Sequence, residues 1–274
     1  EAFNTFEELN ISSLLVTNID NDHLDHYGSF ANLVKAFQTV IKNVTNNKVL
    51  NYEDEELKDI KFKGTIFYGT SETSDYKINY PDEFEYKNKL YKIKTKLIGK
   101  HFVSNIVGAI AIAETLGIEI NDSLLAVEHF NGVKRRTEFI GEFNNIKIYD
   151  DYGHHSTEIK ATISALKEKY NGRLFTIFQP HRFTRTRDNF ETLKKSLEIS
   201  DITYVTDIFP AGEDPIPGIH SSKFESNKIK YIKSPRMLLQ LIKDEVTSGD
   251  VVLTIGAGDI TLLGPQILRY IKNE

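Results

Sequence analysis

Short apolar runs alternate with amphipathic stretches along most of the chain, and this alternation predicts strands and helices in turn. Residues 13–18 (SLLVTN) have the pattern of a buried strand that ends in a polar loop, and residues 29–44 have that of an amphipathic helix. Between residues 46 and 100 polar turns separate three β-prone pieces, GTIFYGT, YKINY and KLYKIKTKL. These pieces predict a small antiparallel appendage on the first sheet. Helices are predicted at residues 105–116, where small residues permit close packing, and at 123–130.

The second half of the chain has a more regular pattern. Strands are predicted at residues 146–150, 174–178, 202–206, 230–233 and 251–255, and helices at 156–170, 188–199 and 235–246 and at the end of the chain. This alternation predicts a mostly parallel sheet with helices on both faces, which binds ligands at the carboxyl ends of its strands. A glycine and charged residues interrupt the periodicity at 131–134, so we expect two domains, 1–132 and 133–274.

Composition narrows the class of protein. The 274 residues are 40% hydrophobic and 27% charged, which is ordinary for a globular protein of two domains. A net charge of -5 argues against a nucleic-acid partner. No apolar run approaches the roughly 20 residues of a membrane span, and no signal-like segment stands at the start, so we predict a soluble, cytoplasmic protein without a membrane partner. Without cysteine, a metal must use oxygen or imidazole ligands, which favours Mg2+.

Polar, chemically capable residues follow three predicted strands of the second half. The runs are Asp150-Asp151-Tyr152-Gly153-His154-His155, Gln179-Pro180-His181-Arg182-Phe183-Thr184-Arg185 and Gly256-Ala257-Gly258-Asp259. We expect them to converge on one crevice, because the carboxyl ends of parallel strands meet at one edge. The first run brings two carboxylates and two imidazoles to that edge. Its simpler interpretation is a capped helix, with Ser156 as the cap and Glu158 near the positive helix end.

The second run places two arginines three residues apart beside an imidazole. Arg182 and Arg185 can grip a carboxylate or phosphate through charge-assisted hydrogen bonds, and His181 precedes them. A solvated basic loop is an equally good interpretation of this run alone. The glycines of the third run are a weak signal, because no full G-x-G-x-x-G follows, and we interpret them as structural.

The first half carries two further candidate groups. Residues 17–25 (TNIDNDHLD) follow a strand and offer carboxylates and His23, which are suitable ligands for Mg2+ near phosphates, although an acidic capping loop fits the same spacing. His101 and Asn105 stand at the start of the small-residue helix, and Arg136 lies in a basic run at the domain boundary. Each of these also fits ordinary surface polarity.

Taken together, the motifs resemble the Mur ligase family over nearly the whole chain. The stretches that carry the resemblance occur in the family's order: TNIDNDHLDHYGSF, GKHFVSNIVGAIAIA, FNGVKRRTEFIG, DDYGHHSTEI, FQPHRFTRTRD, FPAGEDPIPG and TIGAGDIT. Within the family, DDYGHH with FQPHRFTRTRD is most similar to the member that adds L-alanine. The nearest competitor is the ligase that recycles murein tripeptide, which should differ in the second of these motifs.

The resemblance implies an α/β fold in two parts. Residues 1–132 would be the remainder of a P-loop-type ATPase central domain, and residues 133–274 a Rossmann-like, mostly parallel ligase domain that binds the amino acid. It also implies ATP-dependent joining of L-alanine to UDP-N-acetylmuramate through an acyl phosphate, with ATP and Mg2+ as cofactors. Such chemistry depends on positioning the reactants and neutralising negative charge.

Particular residues acquire roles through the resemblance. In the first half, the residues that match the family's metal and adenine positions are His23 and Glu1 for Mg2+, and His101 and Asn105 for the adenine end of ATP. In the second half, Arg136 would face the nucleotide phosphates and Asp151 would orient it or contact the ribose. The muramoyl carboxylate and the amino acid would be held by His154, Arg182 and Arg185, in a pocket lined by Tyr152, His155 and His181.

The sequence departs from the family pattern in three places. No G-x-x-x-x-G-K-[ST] phosphate loop occurs, Phe102 stands where the family has an asparagine, and only Glu1 remains recognisable of an acidic motif before the first strand. Because the first residue is not Met and a strand follows soon after, we expect a missing N-terminal region of the same enzyme. The 274 residues alone are then expected to be inactive. A non-catalytic binding module is the alternative from another class.

Overall fold

The structure, a computed structural model, describes residues 5–21 and 24–273, and the chain forms two compact units. The first unit comprises Glu1–Lys96 and Lys100–Phe130, and the second comprises Leu97–Gly99 and Asn131–Glu274. No helix in the described part of the chain is long and apolar enough to cross a bilayer. Two residues predicted to bind Mg2+, Glu1 and His23, lie outside the described residues.

The first unit contains a six-stranded sheet and helices that pack on it. Its strands lie side by side in chain order: β1 (Leu14–Val16), β2 (Lys48–Asn51), β3 (Thr65–Gly69), β4 (Tyr76–Asn79), β5 (Glu83–Tyr86) and β6 (Lys89–Lys92). Its helices are α1 (Leu24–Tyr27), α2 (Phe30–Asn43), α3 (Lys100–Thr115) and α4 (Ile120–His129), and Thr5–Glu8 forms a 3-10 turn. Strands β1 to β4 pair in parallel, whereas β4, β5 and β6 pair antiparallel.

The predicted antiparallel appendage is therefore correct for β4 to β6 and wrong for β3. Strand β3 pairs in parallel with β2, with Lys48 opposite Thr65, because the connection returns the chain to the same end of the sheet. Helix α2 starts where the polar pattern predicts, since the Ser29 hydroxyl accepts a hydrogen bond of 3.2 Å from Asn32 N and caps the helix. Helix α3 begins before its predicted start, so its first turns include His101 and Asn105.

The second unit is a doubly covered, mostly parallel sheet. Its strands are β7 (Glu138–Phe143), β8 (Ile146–Asp151), β9 (Leu174–Phe178), β10 (Ile202–Val205), β11 (Ile229–Tyr231) and β12 (Val251–Ile255), in the spatial order β11-β10-β9-β12-β8-β7. Its helices are α5 (Ser156–Lys169), α6 (Phe183–Asp188), α7 (Phe190–Leu197), α8 (Pro235–Glu245) and α9 (Leu263–Lys272), and 3-10 turns lie at Ser221–Phe224 and Asp259–Leu262. Among the strands of this sheet in the described part of the chain, only β7, at one edge, runs antiparallel to its neighbour.

The two central strands of this sheet explain the apolar runs in the sequence. Every residue of β9 and β12 is buried, and alternate residues of β12 enter two different cores. Leu253 joins one cluster with residues of α5 and α7, and Val252 joins the other with residues of α8 and α9. A strand buried on both faces needs no polar alternation, which is the pattern of a parallel sheet between helix layers. The predicted α/β class is confirmed, and the mostly parallel sheet predicted for the second half is present.

Candidate active site

The three polar runs of the second unit leave the same edge of its sheet, as predicted. Strand β12 lies between β8 and β9, and Ile255 is level with Asp151 on one side and Phe178 on the other. The next backbone bonds continue this row, because Gly256 N donates to Asp151 O at 3.0 Å and Gln179 N donates to Ile255 O at 3.1 Å. The carboxyl ends of β8, β9 and β12 therefore form one site edge, the strand-end site.

Asp151 shapes the β8 end of this site from within. Its carboxylate is 4% exposed and accepts hydrogen bonds from Thr137 N at 2.7 Å, Thr137 Oγ1 at 3.2 Å and Gly153 N at 2.7 Å. Burial raises the pKa of Asp151, and these hydrogen bonds and the charge of Arg136 oppose the rise. Its partner Thr137 follows Arg136 in the chain, and its partner Gly153 follows Tyr152. The Asp151 carboxylate therefore fixes the backbone next to Arg136 and next to Tyr152.

Arg135 was not among the predicted site residues, yet it connects two of the strand ends. Its guanidinium donates to Gly256 O at 2.7 Å and Gly258 O at 3.0 Å, and it lies over the Tyr152 ring at 4.7 Å. Its Nε lies 3.8 Å from the fully buried Asp150 carboxylate, which also accepts hydrogen bonds from two threonine hydroxyls. Sequence spacing places Arg135 in the same basic run as Arg136, and only the contacts separate their environments.

Arg136 is the more exposed of the two neighbours. Its side chain is 46% exposed, and it donates to Glu158 Oε1 at 3.4 Å while lying 5.4 Å from the centre of the Tyr152 ring. A long, half-exposed ion pair contributes little to stability, since solvent competes for both charges. Arg136 thus keeps a half-exposed guanidinium at the strand-end site.

The histidine pair both begins helix α5 and presents imidazoles to the site. Glu158 accepts hydrogen bonds from His154 N at 3.1 Å and His155 N at 3.3 Å, so the helix start is capped. The N-cap is His155 and not the predicted Ser156, which is the first residue of the helix. His154 Nδ1 lies 3.6 Å from the Glu158 carboxylate and 3.2 Å from Tyr152 O. Burial raises the pKa of Glu158, but the His154 amide and the charges of His154 and Arg136 hold it below its ordinary value. The carboxylate therefore stays ionised beside His154.

His181 lies against His154 but has a different environment. The two ring centres are 5.8 Å apart, and the His181 ring stacks on Phe209 at 5.6 Å and 11°. Its Nδ1 is buried and has no hydrogen-bond partner within the described part of the chain. Burial, together with the charges of His154, Arg185 and Arg182, lowers the pKa of His181 to about 4. His181 is consequently neutral near pH 7.

The two predicted arginines lie at the short helix α6, Arg185 within it and Arg182 just before it. Local periodicity did not predict this helix. Arg182 immediately precedes the helix with a φ of 65°, and its backbone N donates to Phe209 O at 2.9 Å. In residues 5–21 and 24–273 its guanidinium has no hydrogen bond or salt bridge. Such a cation, close enough to His181 to lower its pKa, is suited to an anionic ligand.

The predicted adenine-end residues of the first unit share one face of α3. His101 and Asn105 are four residues apart in its first turns, with Asn105 exposed and His101 partly buried. Burial lowers the pKa of His101, which therefore presents a neutral imidazole. The Phe102 ring lies 4.3 Å from the His101 ring. Among the described residues no group of three or more histidines and carboxylates is arranged to hold a metal, so the Mg2+ prediction depends on residues outside that part.

Family comparisons agree with both units, and the chain belongs to the Mur ligase family. The family model described as Mur ligase middle domain matches residues 4–113, and the one described as Mur ligase, glutamate ligase domain matches residues 135–258.

Individual relatives narrow the resemblance within that family. The UDP-N-acetylmuramate–L-alanine ligase of Desulforamulus reducens is 32% identical over 296 aligned residues, covering 100% of this chain and 64% of its own length. That of Dictyoglomus turgidum is 37% identical, covering 93% and 60%. The crystal structure of the UDP-N-acetylmuramate–alanine ligase of Thermotoga maritima superposes with a TM-score of 0.79 at 27% identity, covering 100% of this chain and 63% of that one. The chain thus spans less than two thirds of the length of these relatives.

Proposed function

We propose that this chain contributes two domains to an enzyme that joins L-alanine to UDP-N-acetylmuramate at the expense of ATP. The observation that carries the proposal is the gathering of His154, the neutral His181 and the charges of Arg182 and Arg185 at the strand-end site. Relatives named for this activity align along nearly the whole chain. The amino acid, the sugar nucleotide and the cofactors remain part of the proposal.

The proposed reaction has two bond changes at one carboxyl group. A muramoyl carboxylate oxygen attacks the terminal phosphorus of ATP, so that an O–P bond forms as the P–O bond to ADP breaks and ADP leaves. The alanine amine then attacks the acyl carbon. The new C–N bond forms as the C–O bond to phosphate breaks, phosphate leaves with the electron pair, and the amine loses a proton to solvent. Since each stage carries negative charge on oxygen, cationic donors are the main requirement.

The strand-end site offers both cationic and neutral hydrogen-bond donors. Arg182, Arg185 and His154 would hold the muramoyl carboxylate and the amino acid, each charge-assisted hydrogen bond contributing about 1.5–3 kcal/mol. His181, being neutral, would add a hydrogen bond without adding charge. Tyr152 and His155 would line the pocket. Arg136 would reach nucleotide phosphate, with Asp151 fixing the backbone that carries it.

Part of the nucleotide chemistry falls on the first unit. The neutral imidazole of His101 and the exposed amide of Asn105 have donor and acceptor groups that fit the edge of adenine. Mg2+, when bound, would neutralise phosphate charge, and His23 and Glu1 are its proposed ligands. The 274 residues contain no phosphate loop. The activity is therefore proposed for the protein in which a missing N-terminal region supplies one, acting in the cytoplasm where ATP is available.

The test is L-alanine-dependent release of ADP in the presence of UDP-N-acetylmuramate. We would assay the 274-residue chain beside a longer protein that includes any residues encoded upstream. Activity in the longer protein alone is the expected result. ADP release that requires murein tripeptide instead of L-alanine would reassign the enzyme to recycling. If neither protein released ADP although both were folded, the ligase proposal would be overturned in favour of a binding module.

A further inference from the structure

A short segment that follows β10 packs over the start of helix α6, and we call residues 209–213 the strap. Phe209 N donates to Pro180 O at 2.8 Å, and Phe209 O accepts from Arg182 N at 2.9 Å. Phe209 and His181 form an isolated parallel bridge, so the strap is paired with the β9 end through the backbone. These contacts hold Arg182, the residue just before α6, whose backbone has a φ of 65°.

The Phe209 ring fills the space between two strand ends. It stacks on His181, and a Cβ added at Gly258 would come within 2.6 Å of the ring. The ring therefore contacts the β9 end on one side and the β12 end on the other. A side chain packed in this way restricts the orientation of the His181 imidazole.

At its other end the strap contacts the first turn of α6 through a carboxylate. Glu213 Oε1 accepts from Thr184 Oγ1 at 2.5 Å, and Oε2 accepts from Thr184 N at 3.1 Å. Burial raises the pKa of Glu213, but the Thr184 and Phe183 hydrogen bonds and the charge of Arg182 outweigh it and leave the pKa lowered. Both oxygens of an ionised carboxylate are thus engaged by the helix that presents the arginines.

We propose that Glu213 is a positioning residue that fixes α6, and with it Arg182 and Arg185, for an anionic substrate carboxylate. The inference rests on the proposed function and adds a residue that does not touch the substrate. By charge alone, an acid beside an anion-binding arginine opposes the anion, because like charges repel. Loss of the negative charge of Glu213 would by itself increase the affinity for an anionic substrate. Loss of its hydrogen bonds to α6 would decrease that affinity.

This opposition gives a signed test in the full-length ligase. Glu213→Ala is expected to raise the KM for UDP-N-acetylmuramate by about tenfold, the loss of roughly one charge-assisted hydrogen bond, with an unchanged KM for ATP. Glu213→Gln keeps one acceptor oxygen for Thr184 and should raise the KM less. The matched control is Asp214→Asn, since Asp214 is exposed in the same loop and its variant loses one negative charge.

A double-variant cycle separates positioning from general loss of structure. Thr184→Val removes the hydroxyl that Glu213 accepts from, so its effect on KM should not add to that of Glu213→Ala. A KM that falls in Glu213→Gln or Glu213→Ala would show that repulsion prevails and would overturn the inference. If the KM for UDP-N-acetylmuramate and the KM for ATP rose equally and the Tm fell, the inference would also be overturned.

Hydrogen exchange provides a readout that does not depend on activity. In the 274-residue chain, Glu213→Ala should accelerate exchange of the α6 amides, whereas Asp214→Asn should leave them unchanged. Unchanged exchange in Glu213→Ala would overturn the positioning role whether or not the enzyme is a ligase. Absence of ADP release by the full-length wild-type protein would instead refute the proposed function.

Discussion

Adjacent residues at the strand-end site have opposite environments, and these environments determine what each can do. Arg135 and Arg136 differ in exposure, 25% against 46%, and in the number of fixed acceptors around them. The Arg135 guanidinium donates hydrogen bonds to two backbone carbonyls and lies near the fully buried Asp150 carboxylate. Its charge therefore stabilises the fold and is not available to a ligand. Arg136 makes a long contact to Glu158, which under the proposed function it would exchange for a phosphate.

Substitution of the two arginines should therefore have separable effects. Arg135→Ala is expected to lower the free energy of unfolding by about 2–4 kcal/mol, because it leaves Asp150 and two carbonyls without their cation. Arg136→Ala should change stability by less than about 1 kcal/mol, since exposed ion pairs contribute little, but raise the KM for ATP in the full-length enzyme. Urea unfolding and steady-state kinetics measure the two quantities. Equal losses of stability would contradict the assignment.

His181 should make the stability of the chain depend on pH in one particular window. Its pKa of about 4 in the folded chain lies below the ordinary histidine pKa of 6.5, so between these pH values the unfolded chain binds more protons. This contribution lowers the stability of the fold as the pH falls from 6.5 to 4. In His181→Gln the decline between pH 7 and pH 4.5 should be shallower than in the wild type, as measured by urea unfolding at each pH. His129→Gln, at an exposed site, is the control, and a wild-type slope in His181→Gln would refute the prediction.

At the scale of elements, the strand-end site depends on close packing between the turn after β12 and the residues that follow β9. The Gly256–Gly258 turn after β12 lies under the Arg135 guanidinium and beside Gln179, whose amide donates to Asp259 Oδ1 and accepts from Ile260 N. A Cβ at Gly256 would approach Gln179 O to 2.7 Å, at a φ of 150°. The glycines are therefore structural, as the sequence indicated, because no side chain fits between these neighbours.

Alanine at Gly256 should consequently disrupt the turn. We expect Gly256→Ala to cost about 2–4 kcal/mol of unfolding free energy, since both the backbone conformation and a backbone oxygen oppose the added methyl. Gly212→Ala is the matched control. Gly212 also has a positive φ, 87°, but an added Cβ there meets nothing within 4 Å. Its cost should be about 1 kcal/mol, from backbone strain alone. Urea unfolding compares the two, and equal costs would show that the close approach is relieved without penalty.

At the scale of the whole molecule, the chain does not pass from one unit to the other at a single point. Leu97–Gly99 belong to the second unit although the first unit continues at Lys100. Ile98 is 7% exposed and joins the buried cluster that also contains Ile163 and Leu253. A residue that precedes α3 in sequence thus supports the core beneath the strand-end site.

Truncation of Ile98 should therefore destabilise the second unit. Ile98→Ala is expected to cost about 2–4 kcal/mol, the usual range for removing a buried aliphatic side chain. The effect should appear as faster hydrogen exchange of the β9 and β12 amides. Ile118→Ala, where the side chain is 48% exposed, should leave those amides unchanged. Faster exchange confined to the first unit would contradict the placement of Ile98.

The sequence alone determined the α/β class and the chemical content of the strand-end site. Apolar runs of β9 and β12 length, amphipathic helices and polar residues at strand ends are local patterns, because side-chain periodicity follows directly from backbone geometry. His154, His181, Arg182 and Arg185 were therefore predictable as candidates, and their motif order identified the family. Their roles toward substrate and nucleotide remain predictions.

Only the tertiary structure decided the direction of β3, the edge strand β7 and the short helix α6. Strand direction depends on how a connection returns the chain, and the first turn of α6 is hydrogen-bonded to Glu213, 29 residues from Thr184. Burial likewise separated Arg135 from Arg136 and made His181 neutral, because desolvation depends on neighbours that are distant in sequence. Local spacing carries no information about such contacts, which exist only once the strands are side by side.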